Sequence, residues 1–134
     1  MHRRDKDYRR KEFSLTERLK SFRHAFHGIG TLLRNEHNAR IHIVILVIVI
    51  GAGLLFRIRG SEWMAILFVA GLVLTSECFN TSVEYLSDQV TDEENENIRR
   101  AKDVAAAGVL ISAIISVLTG MIIFLPEIVK LIRE

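Results

Sequence analysis

The stretch from Val104 to Pro126 is 23 residues long and carries no charged side chain. A helix needs about 20 apolar residues to cross a hydrocarbon core of about 30 Å, so this run is long enough by itself. Two further runs, Ile41 to Phe56 and Trp63 to Ser76, also hold no Asp, Glu, Lys or Arg and reach spanning length once their flanks are included. A soluble chain could bury such a run as a core helix, or IHIVILVIVI as a strand, because β-branched runs are ambiguous by periodicity. Three of them in 134 residues leave too little amphipathic surface to cover them in water. The predicted fold is therefore all-α and integral to a membrane, with transmembrane helices at about 39–57, 62–88 and 100–126.

The totals alone would not reveal this, since 49% hydrophobic and 25% charged residues suit a soluble protein. The distribution does, because charge crowds into Met1–Arg40, Arg57–Glu62 and Asp88–Asp103. The length allows one domain. Cys78 is the single cysteine, so no internal disulfide forms. Forty mostly polar residues precede the first apolar run, which is not the pattern of a cleavable signal. Most Lys and Arg lie before Ile41, the loop from Asp88 to Asp103 adds Arg99, Arg100 and Lys102, and the short connection between the first two spans has only Arg57 and Arg59. The positive-inside tendency then places the N-terminus and the second loop in the cytoplasm.

Residues 1–13 are charged and cannot bury enough surface to order themselves, so a disordered N-terminus is expected ahead of a single domain at 14–134. Ser14-Leu15-Thr16-Glu17 has the form of a capping box. Behind it Leu15, Leu19, Phe22, Phe26, Ile29 and Leu33 make one apolar stripe, with Arg18, Lys20, Arg23, His24 and His27 on the other sides. This predicts an amphipathic helix over about 14–34, lying on the cytoplasmic membrane face. Gly28 and Gly30 are expected to interrupt it, and Asn35-Glu36-His37-Asn38 to link it to the first span. Glu36 has two readings: an ordinary helical ion pair with Arg40, or a carboxylate at the membrane surface that shares a cation with the second span. His42 reads as a polar anchor at the interface.

The second span holds the anomaly of the chain, ECFNTSVEYLSD from Glu77 to Asp88. At about 100° per residue, Glu77, Asn80, Glu84 and Asp88 fall within one sector of a helix. Glu77 lies fourteen residues from Trp63, an expected belt residue, and so about 21 Å along the helix, near the inner edge of the hydrocarbon. Asp88 is about 16 Å further on, in the cytoplasm. A charge toward the bilayer centre costs about 2.5–3.5 kcal/mol on insertion scales, and such an expense usually marks function. The third span is expected to open at Arg99-Arg100-Ala101-Lys102-Asp103, where free amides of a helix N-terminus and small following side chains favour an anion. Gly108, Ser112, Ser116 and Gly120 form a small-residue packing stripe, and Pro126 is expected to end the helix.

Glu36, Glu77, Asn80, Glu84, Asp88, Lys102 and Asp103 thus gather near one membrane surface. Several carboxylates with a lysine suit a magnesium-bound polyphosphate, since hard cations take oxygen ligands and phosphoryl transfer asks mainly for metal clamps, a cation and a base. No GxxxxGK[ST] loop is present, and Gly28-Ile29-Gly30 lacks the later glycine of a kinase loop. Residues alone do not separate base from metal ligand.

ECFNTSVEYLSD, followed by RAKDVAAAGVL, closely resembles the paired signatures of the small prokaryotic diacylglycerol kinase and undecaprenol kinase family. NEHNARIH, the EWM of the second span and the terminal IIFLP are similar to its Gram-positive undecaprenol kinase branch. His42, where the Gram-negative branch tends to carry a carboxylate, points the same way. Ser82 and Val83 depart from the usual Ala and Ile, and Ala107-Gly108 inverts the usual order. The resemblance runs from about Phe22 to Pro126. It implies Glu77 as general base, Glu36 and Glu84 as ligands of Mg2+, and Asn80, Glu84, Asp88, Lys102 and Asp103 as ATP contacts, with Lys20 joining from the N-terminal helix. It also implies a homotrimer in the bacterial plasma membrane, acting on a membrane lipid alcohol, undecaprenol first and diacylglycerol second. No nucleic-acid partner is expected. A cation channel or transporter subunit is the distant alternative, but Met64 to Thr75 offers no polar path across the outer half of the span.

Overall fold

The structure is a computed structural model that describes residues 14–90 and 95–133. The charged stretch expected at 1–13 lies outside these residues, as do positions 91–94 of the polar turn. Four helices follow one another: α1 (Leu15–Asn35), α2 (His37–Leu55), α3 (Gly60–Val90) and α4 (Glu96–Arg133). No strand occurs among the described residues, and α2, α3 and α4 are each long and apolar enough to cross a membrane. α4 packs mainly on α3, α2 lies more lightly against α3, and α1 touches α2.

α1 starts where the capping pattern places it, with the Glu17 amide donating to Ser14 Oγ at 3.4 Å. The reciprocal half of the box is not formed among the described residues, and Glu17 accepts from Lys20 Nζ at 3.0 Å. Gly28 and Gly30 do not interrupt the helix. Each costs only about 1 kcal/mol relative to alanine, less than breaking the hydrogen-bond ladder and losing the stripe. Leu15, Leu19, Phe22, Phe26 and Ile29 of that stripe are all exposed, as a face laid on lipid requires.

The link to α2 is shorter than expected, for Glu36 alone separates the helices and bends the chain with φ −96° and ψ 118°. At the other end, α2 closes in a Schellman turn: the Ile58 amide donates to the Gly53 carbonyl at 3.1 Å and the Arg57 amide to Leu54 at 3.3 Å. Arg57 takes the left-handed conformation, φ 51°, that glycine usually fills. Gly53 is needed beneath this turn, because a Cβ there would come within 2.8 Å of Trp63 Cη2 and 3.0 Å of Ile58 Cδ1. Trp63 therefore pins the α2–α3 turn as well as suiting an interfacial belt.

Two expectations for the third span are corrected. α4 begins at Glu96 rather than near residue 100, capped by Asn95 Oδ1, which accepts from the amides of Asn97 at 3.0 Å and Ile98 at 3.3 Å. Lys102 and Asp103 consequently stand inside the helix, where amides are already bonded, and any anion there must be met by side chains. Pro126 does not end α4, which continues to Arg133. A proline removes one amide from the ladder, whereas stopping the helix would free four carbonyls. Of the small-residue stripe, Ser112 is buried, while a Cβ on Gly108 or Gly120 would meet open space.

Candidate functional site

α3 is a single unbroken helix, so the periodicity that aligned its polar residues is realised in space. Glu77 is only 2% exposed and is the largest fully buried side chain of the described residues. Asn80 and Thr81 beside it are also buried. Oε1 of Glu77, Oδ1 of Asn80 and Oγ1 of Thr81 are enclosed and accept or donate no hydrogen bond among the described residues. Three unanswered polar atoms on one helix face are costly in a chain that has lipid around it, and they mark a place prepared for other polar groups.

The side chains that surround this face come from two other helices. His42 of α2 brings Nε2 to 3.2 Å from Glu77 Oε1, an ion-pair distance when the imidazole is protonated. The contact is off the line of a hydrogen bond, which is why Oε1 counts among the unanswered atoms. Glu36 and Glu84 are close enough for their charges to act on Glu77. Glu36 does so from the elbow between α1 and α2, where its carboxylate caps neither helix and makes no ion pair with Arg40 among the described residues. Glu84 accepts from Asn80 Nδ2 at 3.0 Å. One turn further, Lys102 of α4 donates to Asp88 of α3 at 3.2 Å and ties the outer end of the acidic face to the neighbouring helix.

Not every expected residue joins this group. Asp103 pairs with Arg99 on its own helix at 3.0 Å. Lys20 pairs with Glu17 on α1 and makes no hydrogen bond or ion pair with the acidic face. Three residues were missed. Thr81 sits four positions after Glu77 and could have been found by the same periodicity. His42 and Tyr85 act across helices, and sequence spacing carries no sign of that. Tyr85 Oη accepts from Asn35 Nδ2 at 3.2 Å, fastening the end of α1 to α3 beside Glu36.

The outer part of the face carries the carboxylates of Glu84 and Asp88, and oxygen donors of this kind suit a hard cation such as Mg2+. Among the described residues no three His, Cys, Asp or Glu side chains converge tightly enough to cage a metal. A separate cavity of about 730 Å3 lies at the other end of the bundle, around Arg57, Arg59, Glu62 and Lys130. It contains none of the expected site residues.

Fold and site together define a polytopic helical membrane protein with a buried carboxylate at the head of an acidic face. The sequence profile described as prokaryotic diacylglycerol kinase matches residues 23–124, and the chain belongs to that family. It is similar to the undecaprenol kinase of Bacillus subtilis, 36% identical over 122 residues that make up 91% of this chain and 97% of the relative. A diacylglycerol kinase of Synechocystis is 32% identical over 114 residues, 84% of this chain and 65% of that longer protein. A diacylglycerol kinase of Haemophilus influenzae is 29% identical over 117 residues, 85% of this chain and 98% of its own length. The chain is thus a membrane enzyme of a lipid kinase family.

Proposed function

We propose that the protein transfers the γ-phosphoryl group of ATP to the hydroxyl of a membrane lipid alcohol, undecaprenol in the first place. The observation that carries this reading is Glu77, a carboxylate 2% exposed on a helix long and apolar enough to cross a membrane, from which polar side chains lead along α3 to the Lys102–Asp88 pair. Glu77 takes the proton of the lipid hydroxyl as its oxygen attacks the γ-phosphorus, and ADP leaves along the axis of attack. Asn80, Glu84, Asp88, Lys102 and Asp103 bind the nucleotide, with Lys20 approaching from α1. Glu36 and Glu84 would hold magnesium, which would supply positive charge to offset that of the phosphates.

Undecaprenol is favoured by the 36% identity to the Bacillus enzyme over nearly all of both chains. Diacylglycerol is the second reading, favoured by the names of the other two relatives. The distribution of Lys and Arg supports a plasma-membrane protein with its N-terminus and site in the cytoplasm. The many exposed apolar side chains of α2 and α4 leave room for partner subunits as well as lipid, and a homotrimer follows from the family resemblance. Purified protein given Mg-ATP and either lipid tests the activity directly. Glu77→Gln should lower turnover by about 10² or more while nucleotide still binds. Full turnover in that variant, or phosphorylation of neither lipid, overturns the reading.

A further inference from the structure

His42 is the one basic side chain placed against Glu77 among the described residues. Glu36 and Glu84, the other charged groups that act on this carboxylate, carry the same sign as it does and repel it. Among the described residues no other cation or hydrogen-bond donor meets this carboxylate. Its two oxygens differ: Oε1 is enclosed and faces His42 Nε2 at 3.2 Å, whereas Oε2 is not among the enclosed atoms. The contact joins α2 to α3, so it also fixes how those helices are turned toward each other at this depth.

The imidazole has a second neighbour. It lines a narrow groove of about 150 Å3 whose other walls include Ile45, Val49, Ile66, Val73 and Ala113. Among the described residues His42 is the only titratable side chain on that groove. A hydrocarbon chain lying there would bring a terminal hydroxyl toward the His42–Glu77 pair.

We propose that His42 is a positioning residue for the phosphoryl transfer: it engages Oε1 of Glu77 and leaves Oε2 aimed at the lipid hydroxyl. The proposal rests on the assignment of Glu77 as base. No proton needs to pass through the imidazole, because an Nε2–H placed 3.2 Å from Oε1 attracts the carboxylate through its dipole even off the line of a hydrogen bond. A donor of similar reach should therefore serve in its place.

The test compares two substitutions of nearly equal length and volume, His42→Gln, which keeps an N–H donor, and His42→Met, which does not. In reconstituted protein at saturating lipid, His42→Met should lower kcat about tenfold to hundredfold, the scale of a misaligned catalytic group. The KM for Mg-ATP should stay at the wild-type value, since His42 faces the lipid end of the site. His42→Gln should recover most of the lost rate. Equal losses in both variants, or a wild-type kcat in His42→Met, overturn the proposal, because packing and not the donor would then be what matters. Glu77→Gln, assayed alongside, keeps the two ideas apart. If it retains turnover, the base assignment fails whatever the His42 variants do.

Discussion

Replacing Lys102 by Met separates structural from functional roles at the cytoplasmic end of the face. Lys102 Nζ lies 3.2 Å from Asp88 Oδ1, with the side chains 40% and 65% exposed. An ion pair so open to solvent contributes at most about 1 kcal/mol to stability and often nothing measurable. The midpoint of thermal unfolding in detergent should accordingly move by only a few degrees. A lysine that meets phosphate oxygens contributes more, about 1.5–3 kcal/mol for a hydrogen bond involving a charged group. That corresponds to a rise of about tenfold to 150-fold in the KM for Mg-ATP. The KM for the lipid should hardly change, because Lys102 stands about three turns from Glu77 along the bundle. The assay is initial rate against Mg-ATP at fixed saturating lipid, paired with a melting curve. A wild-type KM for Mg-ATP accompanied by a large drop in melting temperature would refute the reasoning, since Lys102 would then serve the fold and not the nucleotide.

Gly53→Ala should lower stability by about 1–3 kcal/mol, because the new methyl group would press on Trp63 and Ile58, while Gly51→Ala, with nothing within 4 Å of its Cβ, should not lower it. Thermal melts of the two variants check this, and equal melting temperatures would contradict the close packing at the α2–α3 turn. Tyr85→Phe removes the acceptor that fastens Asn35 to α3. The fold should lose no more than about 1 kcal/mol, but the Mg2+ concentration for half-maximal rate should rise about twofold to tenfold, because Glu36 follows Asn35 directly. An unchanged magnesium dependence would dissociate Glu36 from metal binding.

The membrane spans were legible because charge-free runs of this length have few other uses, and α3's acidic face was legible because helix periodicity converts spacing into direction. Breaker residues misled in both places where they carried the argument. Gly28, Gly30 and Pro126 each weaken a helix locally, yet ending a helix exposes several backbone groups at once, so α1 and α4 run through them. The start of α4 was misplaced for a related reason. Asn95 supplies a cap four residues before the charged signature, and the helix grows from the cap and not from the signature. What the sequence could not carry was contact between helices. Neither the His42–Glu77 approach nor the Asn35–Tyr85 tether follows from any spacing, since each depends on how two helices are rotated and how deep they sit.

α3 is one rod of 31 residues, about 46 Å long, and so it exceeds the thickness of the hydrocarbon it crosses. Glu77 and Asp88 are fixed on that rod, and their separation does not change when the bilayer does. The boundary between oil and water is what slides along it. Under the proposed mechanism, local thinning or thickening of the membrane would shift the level at which a lipid presents its hydroxyl to Glu77, while the nucleotide's end of the rod would stay in water. Bilayer thickness would thereby act on one substrate and not on the other, along a single unbroken helix.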